Sequence, residues 1–235
     1  MDKPKVFETV STWKQRTSDS IRVVAFGSSN TQLSLVHAGR FNWVTWLAVA
    51  MEAQIGHHVC VINRGIGGET TTDLLRRIER DVLSFKPEMV IVTIGGNDAA
   101  KGLAIDQYER QLSEVGQIIR SSGAEAVLQT YYCPLYECFN EGFDRHFEQF
   151  VQVNRDLAAK DAYPLIDQYN LFQPLRQADP TGYTALMRDG FHVNHLGNLL
   201  MARNALRCFQ LEPVAVPAGW ENDVEQLPAV IRQHF

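Results

Sequence analysis

Residues 21–31 read Ile21-Arg22-Val23-Val24-Ala25-Phe26-Gly27-Ser28-Ser29-Asn30-Thr31. A near-continuous apolar run, Ile21–Phe26, empties without a break into a glycine and a row of small polar residues. That is the signature of a strand covered on both faces and followed by a tight turn. Four further β-type runs follow, at His58–Asn63, Met89–Ile94, Ala126–Tyr131 and Tyr163–Asp167. Helical patterns separate them. Asp106–Ser122 puts Tyr108, Leu112, Val115 and Ile119 on one face, with Gly123 as a stop, and Thr71–Phe85 groups Leu74, Leu75, Ile78 and Val82. Phe41–Ile55, His146–Ala159 and His195–Phe209 also read as helices.

Strands alternating with helices imply right-handed βαβ units and a parallel sheet. The expected fold class is therefore α/β: a three-layer α/β/α sandwich with a five-stranded parallel sheet. Residues 1–235 are expected to form one domain, with a core of about 21–210 and extensions at both ends. The segment from Leu211, with Pro213, Pro217 and Pro228, is expected to pack on the body as an appendage.

Composition narrows the function classes. Lys plus Arg number 22 against 27 Asp plus Glu, a net charge of −5. A chain without a basic stripe is a poor match for nucleic acid or for anionic membrane surfaces. The N-terminal stretch has no apolar signal-peptide core, and no run approaches 18 apolar residues. A soluble, cytoplasmic protein without a membrane span is expected. Cys60, Cys133, Cys138 and Cys208 show no metal-ligand spacing and read as free, largely buried thiols.

In open α/β sheets, ligands bind beyond the carboxyl ends of the strands. Four such places carry polar or Gly-rich chemistry. Gly27-Ser28-Ser29 follows the first strand and presents a hydroxyl at a sharp turn, although a serine there also suits a helix N-cap. Asn63-Arg64-Gly65-Ile66-Gly67-Gly68-Glu69-Thr70 follows the second, and backbone N–H groups before a helix suit an anion or oxyanion. A plain turn fits the same stretch, whereas the Walker and dinucleotide patterns do not. Gly95-Gly96-Asn97-Asp98 follows the third and fixes a neutral amide donor, or makes an ordinary turn. Asp189-Gly190-Phe191-His192 places an acid three residues before a histidine, near enough to reach Nδ1 and select the tautomer whose Nε2 accepts a serine proton.

Together these segments resemble the SGNH (GDSL-like) hydrolase superfamily, whose blocks carry Ser, Gly, Asn and His in that order. The resemblance spans about residues 21–205, and Ala126–Glu137 looks most like its bacterial carbohydrate-acetylesterase branch. It implies a flavodoxin-like sheet and cofactor-free, metal-free hydrolysis of small carboxylic esters. By position, Ser29 is the nucleophile, His192 the base and Asp189 its orienting acid, while Ser29, Gly68 and Asn97 supply the oxyanion hole. Two departures stand out: Ser28 replaces the family's usual Asp before the nucleophile, and Glu69 stands where Asp is common. The α/β-hydrolase elbow G-x-S-x-G is absent.

The expected partner is a small ester, with an acetylated saccharide ranked first. A short-chain lipase, thioesterase or lysophospholipase substrate ranks second, and a silent binding module on the same fold remains the non-enzyme alternative. Tyr131, Tyr132 and Tyr136 follow the fourth strand and are expected to wall the substrate pocket, whereas Trp43 and Trp46 read as core or interface. His195 is ambiguous, and the remaining histidines read as structural or exposed. Homo-oligomerisation is left open.

Overall fold

The computed structural model describes residues 8–37 and 39–235. In chain order its elements begin with α1 (Glu8–Trp13), β1 (Ile21–Gly27), α2 (Trp43–Gln54), β2 (Val59–Gly65), α3 (Thr71–Asp81) and β3 (Met89–Thr93). There follow α4 (Gly96–Ala100), α5 (Ile105–Ser121), β4 (Glu125–Gln129), α6 (Phe143–Asp161) and β5 (Leu165–Ile166). The chain ends with α7 (Gln168–Ala178), α8 (Pro180–Tyr183), α9 (His195–Cys208), α10 (Glu221–Glu225) and α11 (Ala229–Arg232).

The five strands form one parallel sheet in the order β2-β1-β3-β4-β5. β1 and β3 are buried on both faces, which is why their sequences are continuous in Val and Ile rather than alternating. α2 and α9 pack together on one face, and α3, α5 and α6 line the other. That distribution follows from the reversal of strand order at β1: right-handed crossovers put β1-α2-β2 on the opposite side from β2-α3-β3. The reversal opens a crevice at the carboxyl ends of β1 and β3, where this class of sheet binds ligands.

Edges depart from the expected ranges for local reasons. β4 stops at Gln129, because Thr130 turns its hydroxyl to the Tyr169 N–H and to Asp167. β5 shrinks to two residues. The pattern over Thr71–Phe85 divides into α3 and a 3-10 turn, Leu83–Phe85, closed by Lys86 at φ 50°. α7 is an element that the periodic patterns do not mark, and it carries Pro174 in its interior; Asp167 starts it by accepting from the Asn170 N–H at 3.0 Å. Cys60 is exposed, contrary to expectation, because β2 is an edge strand. All four cysteines are free, and Trp43 and Trp46 are core residues.

The C-terminal segment does pack on the body. Leu227 and Ile231 are buried, and Arg203 of α9 donates to the carbonyls of Val214 and His234 at 2.9 and 2.8 Å. Among the described residues, no helix is long and apolar enough to cross a membrane.

Candidate active site

Gly27 ends β1 where no side chain fits: an added Cβ would lie 2.3 Å from the Thr93 carbonyl oxygen. The chain turns there, and the next residues are fixed from several elements. The Trp43 indole donates to the Asn30 carbonyl at 2.9 Å. The side-chain amides of Asn42 and Asn63 both donate to the Thr31 carbonyl, at 2.8 and 2.6 Å. The two adjacent serines are thereby separated in role. Ser28 is fully buried and shares a hydrogen bond with the Tyr131 hydroxyl, whereas Ser29 is partly open.

Ser29 Oγ lies 2.9 Å from His192 Nε2, and His192 Nδ1 lies 2.9 and 3.0 Å from the two oxygens of Asp189. Asp189 Oδ1 also accepts the backbone N–H groups of Phe191 and His192, both at 2.8 Å, so the Asp-x-x-His turn organises itself. Burial alone would raise the Asp189 carboxyl. The donors from Phe191 and His192 outweigh it and hold the pKa below the ordinary value. The carboxylate therefore stays charged and fixes the Nδ1–H tautomer, leaving Nε2 to accept from the serine.

The other expected donors sit on neighbouring loops. Gly68 has φ 79°, a left-handed conformation that a glycine adopts without strain. Next to it, an added Cβ on Gly67 would come within 3.8 Å of Ser29 Cβ, so this loop runs beside the hydroxyl. Among the described residues, the N–H groups of Ser29 and Gly68 have no backbone acceptor. The Asn97 amide donates one N–H to the Glu69 carbonyl at 2.8 Å, which orients it, and its second N–H stays available. Lys101 Nζ holds the Gly68 carbonyl at 2.6 Å. Asp98 Oδ1 accepts from the Thr71 backbone and hydroxyl at 2.8 and 2.6 Å, tying the start of α3 to α4. Burial raises the Asp98 carboxyl despite those donors.

The structure buries two of the three expected pocket-wall tyrosines. Tyr131 and Tyr132 are 3 % and 1 % exposed. The Tyr132 hydroxyl lies 2.5 Å from the Asn30 side-chain oxygen and 2.8 Å from the Phe191 carbonyl, sharing its one proton between them, and accepts the Val193 N–H at 3.0 Å. One phenol thus bridges the neighbour of Ser29 to both neighbours of His192. Tyr136 is engaged elsewhere, with its hydroxyl 2.8 Å from that of Tyr169 and its ring under Arg176.

Sequence reasoning also missed Arg77. This buried guanidinium donates to the carbonyls of Gly27 and Arg64, both at 3.0 Å, to Glu69 at 2.6 Å and to Asp81 at 3.1 Å. It holds the ends of β1 and β2 to the Gly68–Glu69 loop, and this pairing is what Glu69 does. Among the described residues, no three His, Cys, Asp or Glu side chains converge to hold a metal ion.

The class follows from fold and family together. The model of the GDSL-like lipase/acylhydrolase family matches residues 25–200, and the chain belongs to that family. It is 29 % identical over 182 residues to an acetylxylan esterase of Geobacillus stearothermophilus, covering 72 % of this chain and 80 % of that one. It is 30 % identical over 123 residues to esterase TesA of Pseudomonas aeruginosa, covering 52 % of this chain and only 59 % of the relative. Among solved structures, the acetylxylan esterase Axe2 of G. stearothermophilus superposes with a TM-score of 0.71 at 23 % identity, over 85 % of this chain and 98 % of that one.

Proposed function

We propose that this protein is a serine esterase that cleaves short-chain carboxylic esters through an acyl-enzyme on Ser29, with acetyl esters of carbohydrates as its substrate class. The observation that carries this reading is the continuous array Ser29 Oγ–His192 Nε2, His192 Nδ1–Asp189. Ser29 Oγ attacks the acyl carbon while its proton passes to His192 Nε2. The carbonyl oxygen becomes an oxyanion and meets the N–H groups of Ser29 and Gly68 and the second amide N–H of Asn97. Such a donor contributes roughly 3–4 kcal/mol in the transition state. The ester C–O bond then breaks, and the alcohol leaves with the proton held on His192. Water attacks the acyl-enzyme by the same route in reverse, giving up its proton to His192 and restoring Ser29.

Two comparisons support the acetyl reading. One is the acetylxylan esterase at 29 % identity. The other is the fold likeness to the acetylxylan esterase Axe2, whose catalytic mutants replace a serine, an aspartate or a histidine by alanine and so also support the triad reading.

A second reading, a lipase or thioesterase for longer acyl chains, is favoured by one observation. The loop after Ser29 exposes Leu33, Leu35 and Val36, at 54, 98 and 59 %. Such a surface would suit a hydrocarbon chain. The deciding experiment is kcat/KM across p-nitrophenyl acetate, butyrate and octanoate, followed by acetyl-xylooligosaccharides. The acetyl reading predicts a steep fall beyond butyrate and no effect of EDTA. A maximum at octanoate selects the second reading, and no hydrolysis of any ester selects a silent binding module.

A further inference from the structure

Beside the histidine end of the site lies a cavity of about 330 Å³. Val36, Arg40 and Phe41 line it from the loop after Ser29, and Arg188, Val193 and His195 from the turn before α9 that carries His192 and from the start of α9. Arg188 and Val193 flank the Asp189–His192 segment in the chain, so the cavity borders the catalytic turn. Its volume suits one small ring.

Its charge runs against that of the molecule. The chain carries 27 acidic and 22 basic residues, yet among the described residues none that lines this cavity is acidic. Arg188 leans on Asp189 at 3.3 Å. Among the described residues, Arg40 has no carboxylate within ion-pair reach; its side chain meets the His195 ring, at 2.6 Å from Nδ1, and the face of Trp220 at 5.6 Å.

The His195 contact is directional. A guanidinium only donates, so Nδ1 must accept and the ring proton must sit on Nε2, where Asp223 Oδ2 lies at 3.0 Å. Burial, assisted by the Arg40 charge, lowers the His195 pKa against the pull of Asp223 and favours this neutral form. Asp223, His195 and Trp220 therefore hold Arg40 by one N–H and one face. Among the described residues, the remaining N–H groups of its planar fork have no other acceptor, in a cavity that Val36, Phe41 and Val193 also line.

We propose that this cavity is a carboxylate subsite, and that the preferred esters carry a carboxylate on the alcohol part, as an acylated acidic sugar or hydroxy acid does. The substrate carboxylate pairs with the free edge of the Arg40 guanidinium, and its ring or chain lies against Val36, Phe41 and Val193. A fork-to-carboxylate pair is the geometry for which Arg is suited and Lys is not. This inference rests on the esterase reading for its role in catalysis, but the binding of the acid does not.

The test compares two acetyl esters that differ only in the distal group, 4-acetoxybenzoate and neutral 4-acetoxybenzamide, on the wild type, Arg40→Gln and Arg40→Lys. The glutamine keeps a donor for His195 Nδ1 and removes the charge. The expected result is a fall on the order of ten-fold or more in the acid-to-amide ratio of kcat/KM for Arg40→Gln, carried by KM, with Arg40→Lys intermediate. Sodium chloride should lower the wild-type ratio in the same direction. An unchanged ratio in both variants overturns the proposal. Binding of 4-hydroxybenzoate, followed by calorimetry, needs no turnover. Binding by the wild type that Arg40→Gln weakens upholds the subsite even if no ester is cleaved. Equal binding by the two proteins, or none by the wild type, refutes it.

Discussion

Two histidines three residues apart sit in arrays that look alike and are chemically opposite. His192 takes Asp189 on Nδ1 and the Ser29 hydroxyl on Nε2. His195 takes Asp223 on Nε2 and the Arg40 guanidinium on Nδ1. Each ring has one carboxylate, so the acid alone does not define a catalytic base. The group on the other nitrogen does. A serine hydroxyl can surrender its proton to Nε2, whereas a guanidinium never deprotonates in this range and occupies Nδ1 permanently as a donor. In the proposed mechanism the first array moves a proton, whereas the second holds a cation still.

The contrast breaks most sharply at the rings themselves. His192→Ala should reduce kcat on p-nitrophenyl acetate by about a million-fold, the scale seen when a triad base is lost. His195→Ala should stay within about ten-fold on that neutral ester. At the carboxylates the gap narrows. Asp189→Asn should cost up to about ten-thousand-fold by favouring the wrong tautomer, and Asp223→Asn only a few-fold. Comparable losses in the two arrays would erase the distinction.

Asn97→Ala sharpens the comparison from the other side of Ser29. It leaves both histidine arrays intact and removes one donor to the developing charge. The expected loss is on the order of a hundred- to a thousand-fold in kcat with little change in KM. Circular dichroism should show the variant folded, since Asn97 also bonds to Glu69. A folded variant with near-native kcat would remove Asn97 from the oxyanion hole.

The smallest effect on activity, though a large one on stability, concerns the support under the first array. Asp81 is buried, and its carboxyl is held far below the ordinary range by Arg80, then by Arg64 and Arg77, against the opposing effect of burial. It therefore binds fewer protons folded than unfolded. Its stabilisation is complete above the unfolded value of about 3.9 and is lost as pH falls through the folded one. Urea midpoints should decline with acid below about pH 4 in the wild type. Asp81→Asn should be less stable at neutral pH by about 3–5 kcal/mol and should show a flatter acid slope. An equal slope in the two proteins would contradict the role given to Asp81.

The legibility of these features in the sequence followed their locality. The β1 and β3 strands could be read because burial on both faces leaves near-continuous apolar runs, and Ser29, Gly68 and Asn97 stand out by their position just beyond strand ends. Asp189 and His192 could be paired because a single turn joins them. Arg77 could not be read, since its partner carbonyl on Gly27 is 50 residues away. The bridge made by Tyr132 joins residues 102 and 59 positions distant. An aromatic after a strand looks like a pocket wall until its hydroxyl is seen to be consumed. The Arg40–His195–Asp223 array, assembled from a loop, a helix start and the C-terminal segment, has no sequence signature.

The central claim is that Ser29, and not its neighbour, is the nucleophile. The most direct measurement is labelling of the native protein with a fluorophosphonate, followed by mass mapping of the adduct. The account predicts one adduct, on Ser29, formed in parallel with loss of esterase activity and abolished in His192→Ala. An adduct on Ser28, or full inactivation without modification of Ser29, would contradict it.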